Sequence, residues 1–222
     1  MKSIILSICF ILSTQFLQGQ NLYFPPTTGD NWDSTSFSEL GWCTNQLPAL
    51  YDYLDQSNTK AFIVLKDGKI AIEKYFDTFT KDSLWYWASA GKTITSFLVG
   101  KAQEEGYLNI DDTTSTYLGN GWTSLTSGQE EKITIKHQLS MPSGRDDAVA
   151  DAHCTTPACL VYKADAGTRW AYHNGPYTLL QDVVAAATGT SFNAYLNPKL
   201  KQPTGMDGIF VPIGYTSVYF SK

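Results

Sequence analysis

Hydrophobic positions along the chain switch between helical and strand periods, and their order predicts the elements. Leu47, Leu50, Tyr51 and Leu54 repeat at helical spacing and predict a helix over 47–56. Ala61-Phe-Ile-Val-Leu65 and Lys69-Ile-Ala-Ile-Glu-Lys-Tyr75 are apolar, β-branched runs separated by Lys66-Asp67-Gly68. An Asp-Gly step between such runs predicts an antiparallel hairpin, because both residues tolerate the positive φ of its turn. The period then changes: Ile94, Phe97, Leu98 and Ala102 form one stripe of a helix over 89–105, closed by Gly106. Further helices are predicted over 134–140, over 177–187 ending near Gly189, and over 192–200 ending near Gly205, while 21–41 reads as irregular. Helix, hairpin and then a mostly helical block is an α+β pattern, in which helices segregate from an antiparallel sheet.

The first residues belong to a different class. Lys2 precedes an apolar stretch from Ile4 to Leu17, interrupted by Ser7, Ser13, Thr14 and Gln15, and Gly19 is small enough for a cleavage site. This pattern predicts a secretory signal peptide over 1–20. The stretch is shorter than the roughly 20 apolar residues that cross a bilayer, so no stable membrane anchor is expected. The remainder, 21–222, is expected to be one exported domain, periplasmic or secreted.

Composition narrows the partners. Of 222 residues 43% are hydrophobic, 14% aromatic and 17% charged, with a net charge of -5. Low charge with many aromatics excludes a disordered chain, and the acidic balance argues against nucleic acid. Export permits disulfides, and Cys154 and Cys159 bracket a short Thr-Thr-Pro-Ala loop that a local bridge would close. The rival reading is a metal site with His153 and His173, whose spacing is within ligand range; an oxidising compartment favours the bridge. With Cys9 in the signal peptide, Cys43 is left as a buried free thiol or as half of a pair with another chain. No metal and no cofactor is expected.

Candidate chemistry begins at Trp87-Ala-Ser89-Ala-Gly-Lys92. Positions three apart on a helix are neighbours, so the Lys92 amine can approach the Ser89 hydroxyl. A hydroxyl becomes a good nucleophile when a nearby base takes its proton, and a helix N-terminus offers N–H groups and a positive dipole end to a developing oxyanion. The spacing fits acyl transfer. Ser-x-x-Lys is common by chance and recurs at Ser57 and Lys60. Gly91-Lys92-Thr93 imitates the end of a phosphate-binding loop, but Tyr86 stands where that loop requires glycine. The second segment is Trp170-Ala-Tyr172-His173-Asn174. A Tyr-x-Asn triplet can set a phenol beside a serine as proton shuttle while the amide holds the lysine or a substrate amide. It too recurs, at Tyr107 and Asn109 and at Tyr195 and Asn197.

Taken together and in order, these segments resemble the serine hydrolases of the β-lactamase and penicillin-binding fold, in the branch of class C β-lactamases with their esterase and peptidase relatives. Ala61 to Phe76 is similar to that family's opening hairpin, Trp85-Tyr-Trp-Ala-Ser89-Ala-Gly-Lys92 to its nucleophile motif, and Gly106 to Asp112 to the stretch after the nucleophile helix. Leu139-Ser-Met141-Pro-Ser143-Gly144 is similar to its Leu-x-Met-Thr-Ser-Gly turn, with Pro142 for Thr, and Ala166 to Asn174 to its Pro-Gly segment ending in Tyr-x-Asn, with Ala166 for Pro. The resemblance implies a helical block against an antiparallel sheet. It also implies hydrolysis of a small amide, lactam or ester: Ser89 attacks, Lys92 and Tyr172 move its proton, and Asn174 orients Lys92 or the substrate. Trp87 and Trp170, beside the motifs, are expected to wall the cleft.

The family's third motif, Lys-Thr-Gly or His-x-Gly on a central strand, has no counterpart here. Pro203-Thr-Gly205 is the nearest imitation, with proline in the place of the cation. The C-terminal strands of the sheet are therefore expected to be missing, and the 222-residue form to be inactive or poorly folded. The alternatives are a catalytically silent or penicillin-sensing relative of the same fold and, from the six tryptophans, a secreted glycan-binding module. His137 reads as a solvated or capping residue, and the pairs Asp111-Asp112 and Asp146-Asp147 as turn and capping residues rather than a glycosidase acid and base.

Overall fold

The computed structural model describes residues 23–222 apart from Asp30. The expected signal peptide, with Cys9, lies outside the described residues. The chain forms two compact units that divide between Thr80 and Lys81.

In the first unit a short helix α1 (Phe37–Leu40) interrupts the stretch read as irregular, held by a capping box in which Ser36 and Glu39 exchange hydrogen bonds. Helix α2 (Leu47–Gln56) runs over the predicted residues. Strands β1 (Ala61–Lys66) and β2 (Lys69–Tyr75) pair antiparallel, from Ala61 opposite Tyr75 to Lys66 opposite Lys69, with a register shift after Val64. Their turn holds Asp67 at φ 52° and Gly68 at φ 85°, the mirror-image turn that matches strand twist. Any side chain at Gly68 would also run into the Tyr23 carbonyl, 2.5 Å from a Cβ placed there.

The second unit carries the candidate site. Strand β3 (Trp85–Tyr86) leads into a 3-10 turn (Ala88–Ala90) and helix α3 (Gly91–Glu104). The buried face of α3 is Gly91, Ile94, Thr95, Leu98, Val99 and Ala102, spaced to form one stripe. Phe97 was expected on that stripe but is 43% exposed; at 3.6 residues per turn it lies about 130° round the helix from the stripe's centre. Short helices α4 (Ser115–Leu118), α5 (Ser127–Glu130) and α6 (Ile135–Leu139) follow. The predicted helix over 177–187 begins earlier and is divided at Leu179 into α7 (Asn174–Thr178) and α8 (Leu180–Thr188), which Gly189 ends in the left-handed conformation.

Helix α9 (Phe192–Leu196) passes through a π-helical stretch (Asn197–Lys201) into α10 (Gln202–Thr204). Pro198, lacking an N–H, sits in that wider stretch. Two strands absent from the sequence reading close the unit: β4 (Ile209–Ile213) and β5 (Thr216–Ser221), in a sheet ordered β3-β5-β4. The core packs α3 and α8 against this sheet, with Leu98, Val99, Leu180, Val183, Val184 and Tyr219 fully enclosed. An aromatic column runs through it, Trp87 to Tyr219 at 5.2 Å, Tyr219 to Phe210 at 5.0 Å and Phe210 to Phe192 at 5.2 Å. Gly91 lets the start of α3 approach β5, since a Cβ there would lie 3.3 Å from that of Tyr219. That approach fixes where the following turns of α3 present their side chains.

Candidate active site

Ser89 lies in the 3-10 turn rather than inside α3, and the turn is anchored to the sheet by Trp87, whose N–H donates to the Tyr219 carbonyl at 2.8 Å. Lys92 follows in the first turn of α3 and folds back over it, donating through Nζ to Ser89 Oγ at 3.2 Å and to Asn174 Oδ1 at 2.7 Å. The Tyr172 hydroxyl donates to Ser89 Oγ at 2.7 Å. Two segments more than eighty residues apart thus converge on one hydroxyl oxygen.

The second segment owes its geometry to alternation. Trp170 and Tyr172 are 66% and 47% exposed, whereas Ala171 and His173 are 7% and 3%. That is an extended backbone with one face in the core. His173 is the extended residue just before α7, so Asn174 turns toward Lys92 from a helix start, half-buried. Electrostatics follow from proximity. Burial pushes the Tyr172 phenol up, but its hydrogen bonds with Ser89 and Lys92 and the Lys92 charge outweigh that, leaving it below the ordinary tyrosine value. The Lys92 ammonium also lies 5.2 Å from the Tyr172 ring centroid and 5.4 Å from that of Tyr177. Tyr177, which the sequence reading left out, donates its hydroxyl to the Lys92 carbonyl at 3.0 Å. Its position three residues after Asn174, on the same helix face, was the available signal.

The remaining candidates, Trp170 apart, serve the fold rather than the site. Trp87 gives its indole to the core, donating to Ser221 Oγ at 2.7 Å. Trp170 stays exposed two residues before Tyr172, on the same side of the chain. Cys154 and Cys159 form a disulfide, so neither sulfur is left for the rival metal reading. Cys43 is exposed rather than buried and donates to Asn45 Oδ1 at 2.7 Å. The chance repeats of the motifs serve the fold: Ser57 donates to the Tyr53 carbonyl at 2.8 Å, and Tyr195 donates to Glu105 at 3.0 Å. His137 Nδ1 accepts from the Thr134 N–H at 3.2 Å in a capping box. Asp112 accepts from Tyr117, Asp146 lies 3.6 Å from Lys163, and Asp147 accepts from Arg169 at 2.6 Å. Pro203-Thr-Gly205 is the end of α10, with Gly205 in the left-handed cap.

A helical block on an antiparallel sheet, with a serine at the head of the central helix, defines the β-lactamase and transpeptidase class of fold. The chain belongs to the beta-lactamase family: the family model described as Beta-lactamase matches residues 52–213. Among curated proteins it is similar to PbpX of Bacillus subtilis (strain 168), 24% identical over 159 residues that make up 65% of this chain and 39% of that one. It is also similar to protein flp of Staphylococcus aureus (strain NCTC 8325 / PS 47), 26% identical over 168 residues, 66% of this chain and 33% of that one. Its fold is shared by an octameric penicillin-binding protein homologue from Pyrococcus abyssi, with a TM-score of 0.62 at 18% identity over 80% of this chain and 53% of that one. A β-lactamase/D-alanine carboxypeptidase from Yersinia pestis gives a TM-score of 0.60 at 21% identity, over 81% and 66%. The chain thus spans between about a third and two fifths of the curated relatives it matches.

Proposed function

We propose that the protein is a serine hydrolase that opens amide or ester bonds, lactams included, through an acyl-enzyme on Ser89. The observation that carries this is the convergence of Lys92 Nζ, at 3.2 Å, and the Tyr172 hydroxyl, at 2.7 Å, on Ser89 Oγ. Both groups donate to that oxygen at rest. Attack therefore requires one of them to turn from donor to acceptor, and Tyr172, made more acidic by Lys92 and Ser89, is the group primed to do so. As a phenolate it accepts the Ser89 proton while Oγ adds to the substrate carbonyl; the proton then passes to the leaving group. Asn174 holds the Lys92 ammonium beside the phenolate, and the Ser89 N–H, at the head of the helical run, faces the developing oxyanion. Water hydrolyses the ester by the reverse proton path. Trp170 forms an apolar wall for the acyl group.

The disulfide supports an oxidising location for the mature protein, exported across a membrane. Among the described residues no helix is long and apolar enough to cross a membrane.

Incubation with a fluorophosphonate and with a penicillin, followed by intact mass and peptide mapping, tests the reading. One adduct on Ser89, absent in Ser89→Ala, is the expected result. A folded protein that takes no adduct overturns it. Persistence of the penicillin adduct separates a penicillin-binding role from turnover.

A further inference from the structure

The backbone one residue past Asn174 is clamped by a distant loop. Arg145 and Tyr162 close that loop with an antiparallel bridge, and the Asp146 N–H donates to the Val161 carbonyl at 2.9 Å. Inside it the Cys154–Cys159 disulfide joins residues whose Cα atoms lie 5.9 Å apart. The loop meets the site at Gly175. The Gly175 N–H donates to the Ala152 carbonyl at 2.9 Å. A Cβ on Gly175 would fall 2.3 Å from the Cys154 carbonyl oxygen and 3.5 Å from Leu160 Cδ2. Cys154 is 1% exposed and Leu160 is fully buried, so the two backbones are in contact with no room between them. Around the bridge the Cys154 N–H donates to the Asp151 carbonyl and the Leu160 N–H to the Pro157 carbonyl, each at 3.1 Å. On the far side of the bridge the Leu160 carbonyl accepts from the Ser124 N–H at 3.4 Å, and Leu160 belongs to a buried cluster with Trp122, Ile133 and Leu179.

Resting on the acyl-enzyme reading above, we propose that the Cys154–Cys159 bridge is a positioning device for Asn174. It holds the Ala152–Cys154 backbone against Gly175, and so keeps Asn174 Oδ1 within 2.7 Å of Lys92 Nζ. Without the cross-link the Ala152–Cys154 segment loses its covalent tie to Cys159 and so to the anchored Leu160, the contact at Gly175 loosens, and Lys92 loses the acceptor that fixes it beside Ser89. The acylating power of the site then depends on the redox state of two cysteines that never touch the substrate. The exchange is a two-electron reduction by a dithiol. Its thiolate attacks the half-buried Cys159 sulfur, the S–S bond breaks, and Cys154 leaves as a thiolate and takes up a proton. The second thiol of the reagent then displaces Cys159, leaving two cysteine thiols and the reagent as a cyclic disulfide.

The test is the rate of fluorophosphonate labelling of the oxidised protein, measured with and without the bridge in two backgrounds. Cys154→Ala/Cys159→Ala is expected to label roughly ten- to a hundredfold more slowly, since an ångström of misplacement costs that much at a reacting centre. Dithiothreitol should produce the same loss in the parent and none in the double variant. In an Asn174→Ala background, removing the bridge should change nothing further, because Asn174 is the residue through which it acts. An unchanged rate without the bridge, or an equal loss in both backgrounds, overturns the proposal. If the double variant does not fold, Gly175→Ala with the bridge intact forces the same separation and should show the same loss; labelling at the parental rate overturns it. A parent that takes no label refutes the acyl-enzyme reading alone. The clamp is then read from amide exchange at Gly175, which should speed at least tenfold in the double variant, and an unchanged exchange rate overturns the clamp.

Discussion

Ala88 stands directly before Ser89 at φ 45°, a conformation that non-glycine residues avoid. The turn that brings Ser89 out of the sheet and into the helix therefore carries about 1 kcal/mol of backbone strain. Ala88→Gly relieves it, and after the entropy cost of glycine the protein should gain about 0.5 kcal/mol in urea unfolding. A loss instead would mean that the Ala88 methyl packs more usefully than its backbone is strained. The chemistry next to it turns on single atoms. Tyr172→Phe keeps a ring beside Lys92 and removes only the hydroxyl 2.7 Å from Ser89. Labelling at Ser89 should fall about 10²- to 10⁴-fold, the usual worth of a positioned proton acceptor. The parent's labelling rate should also climb with pH through a midpoint below 10, because Tyr172 is more acidic than an ordinary phenol. That limb should vanish in Tyr172→Phe; its survival there would assign the base to another group.

Elements whose sequence dictates their local structure were legible, and those decided by distant partners were not. Asp67-Gly68 between β-branched runs permits little besides the hairpin, and Thr134 with His137 writes a helix start into four residues. Strand β4 was hidden because Pro212 lies within it. Proline cannot feed a central ladder, yet here it belongs to an edge strand, and Asn193 supplies that strand with side-chain bonds of 2.8 and 2.9 Å to Phe210. The Ser89–Lys92 pair could be read from helix geometry, whereas its meeting with Tyr172 and Asn174 needed the family's order of motifs. Glu130 gave no signal in the chain. At 1% exposure its carboxylate accepts from the N–H groups of Gly121 and Thr123, both at 2.8 Å, and from the Thr123 hydroxyl at 2.6 Å. It is the knot that ties the Gly119–Thr123 loop to α5. Glu130→Gln keeps the size but trades an acceptor oxygen for a donor facing donors, and should lower unfolding free energy by about 2–3 kcal/mol in urea melts. A change below about 0.5 kcal/mol would show that the loop is held by packing of Trp122 and Ile133 instead.

Over the whole molecule the same burial sets a window of pH. His173 is almost fully enclosed, and burial holds it below its ordinary 6.5 against the opposing charges of Asp147 and Asp146, with Arg145 and Arg169 adding to the depression. The unfolded chain takes up that proton first, so stability is full above about pH 6.5 and falls as pH drops toward the folded value. Asp147 is held low by its bond from Arg169, and Glu105 by Lys199 and Tyr195. Their contribution is present above about pH 4.5 and is lost as pH falls through their folded values. Asp182, raised by burial, works the other way and softens that second decline. On the alkaline side Tyr117 is pushed up to about 12 by burial and by Asp112, and burial also raises Tyr195 and Tyr219. Unfolded tyrosines ionise near 10, so stability falls beyond that point. Melting temperature against pH should therefore show a plateau from about pH 7 to 9, with an acid decline in two stages. His173→Asn should flatten the first stage, between about pH 6.5 and 5, while leaving the carboxylate stage below about pH 4.5 in place. A parent whose melting temperature is constant from pH 7 to pH 5 would refute the assignment, for it would mean that the ring beneath Tyr172 carries its proton as easily folded as unfolded.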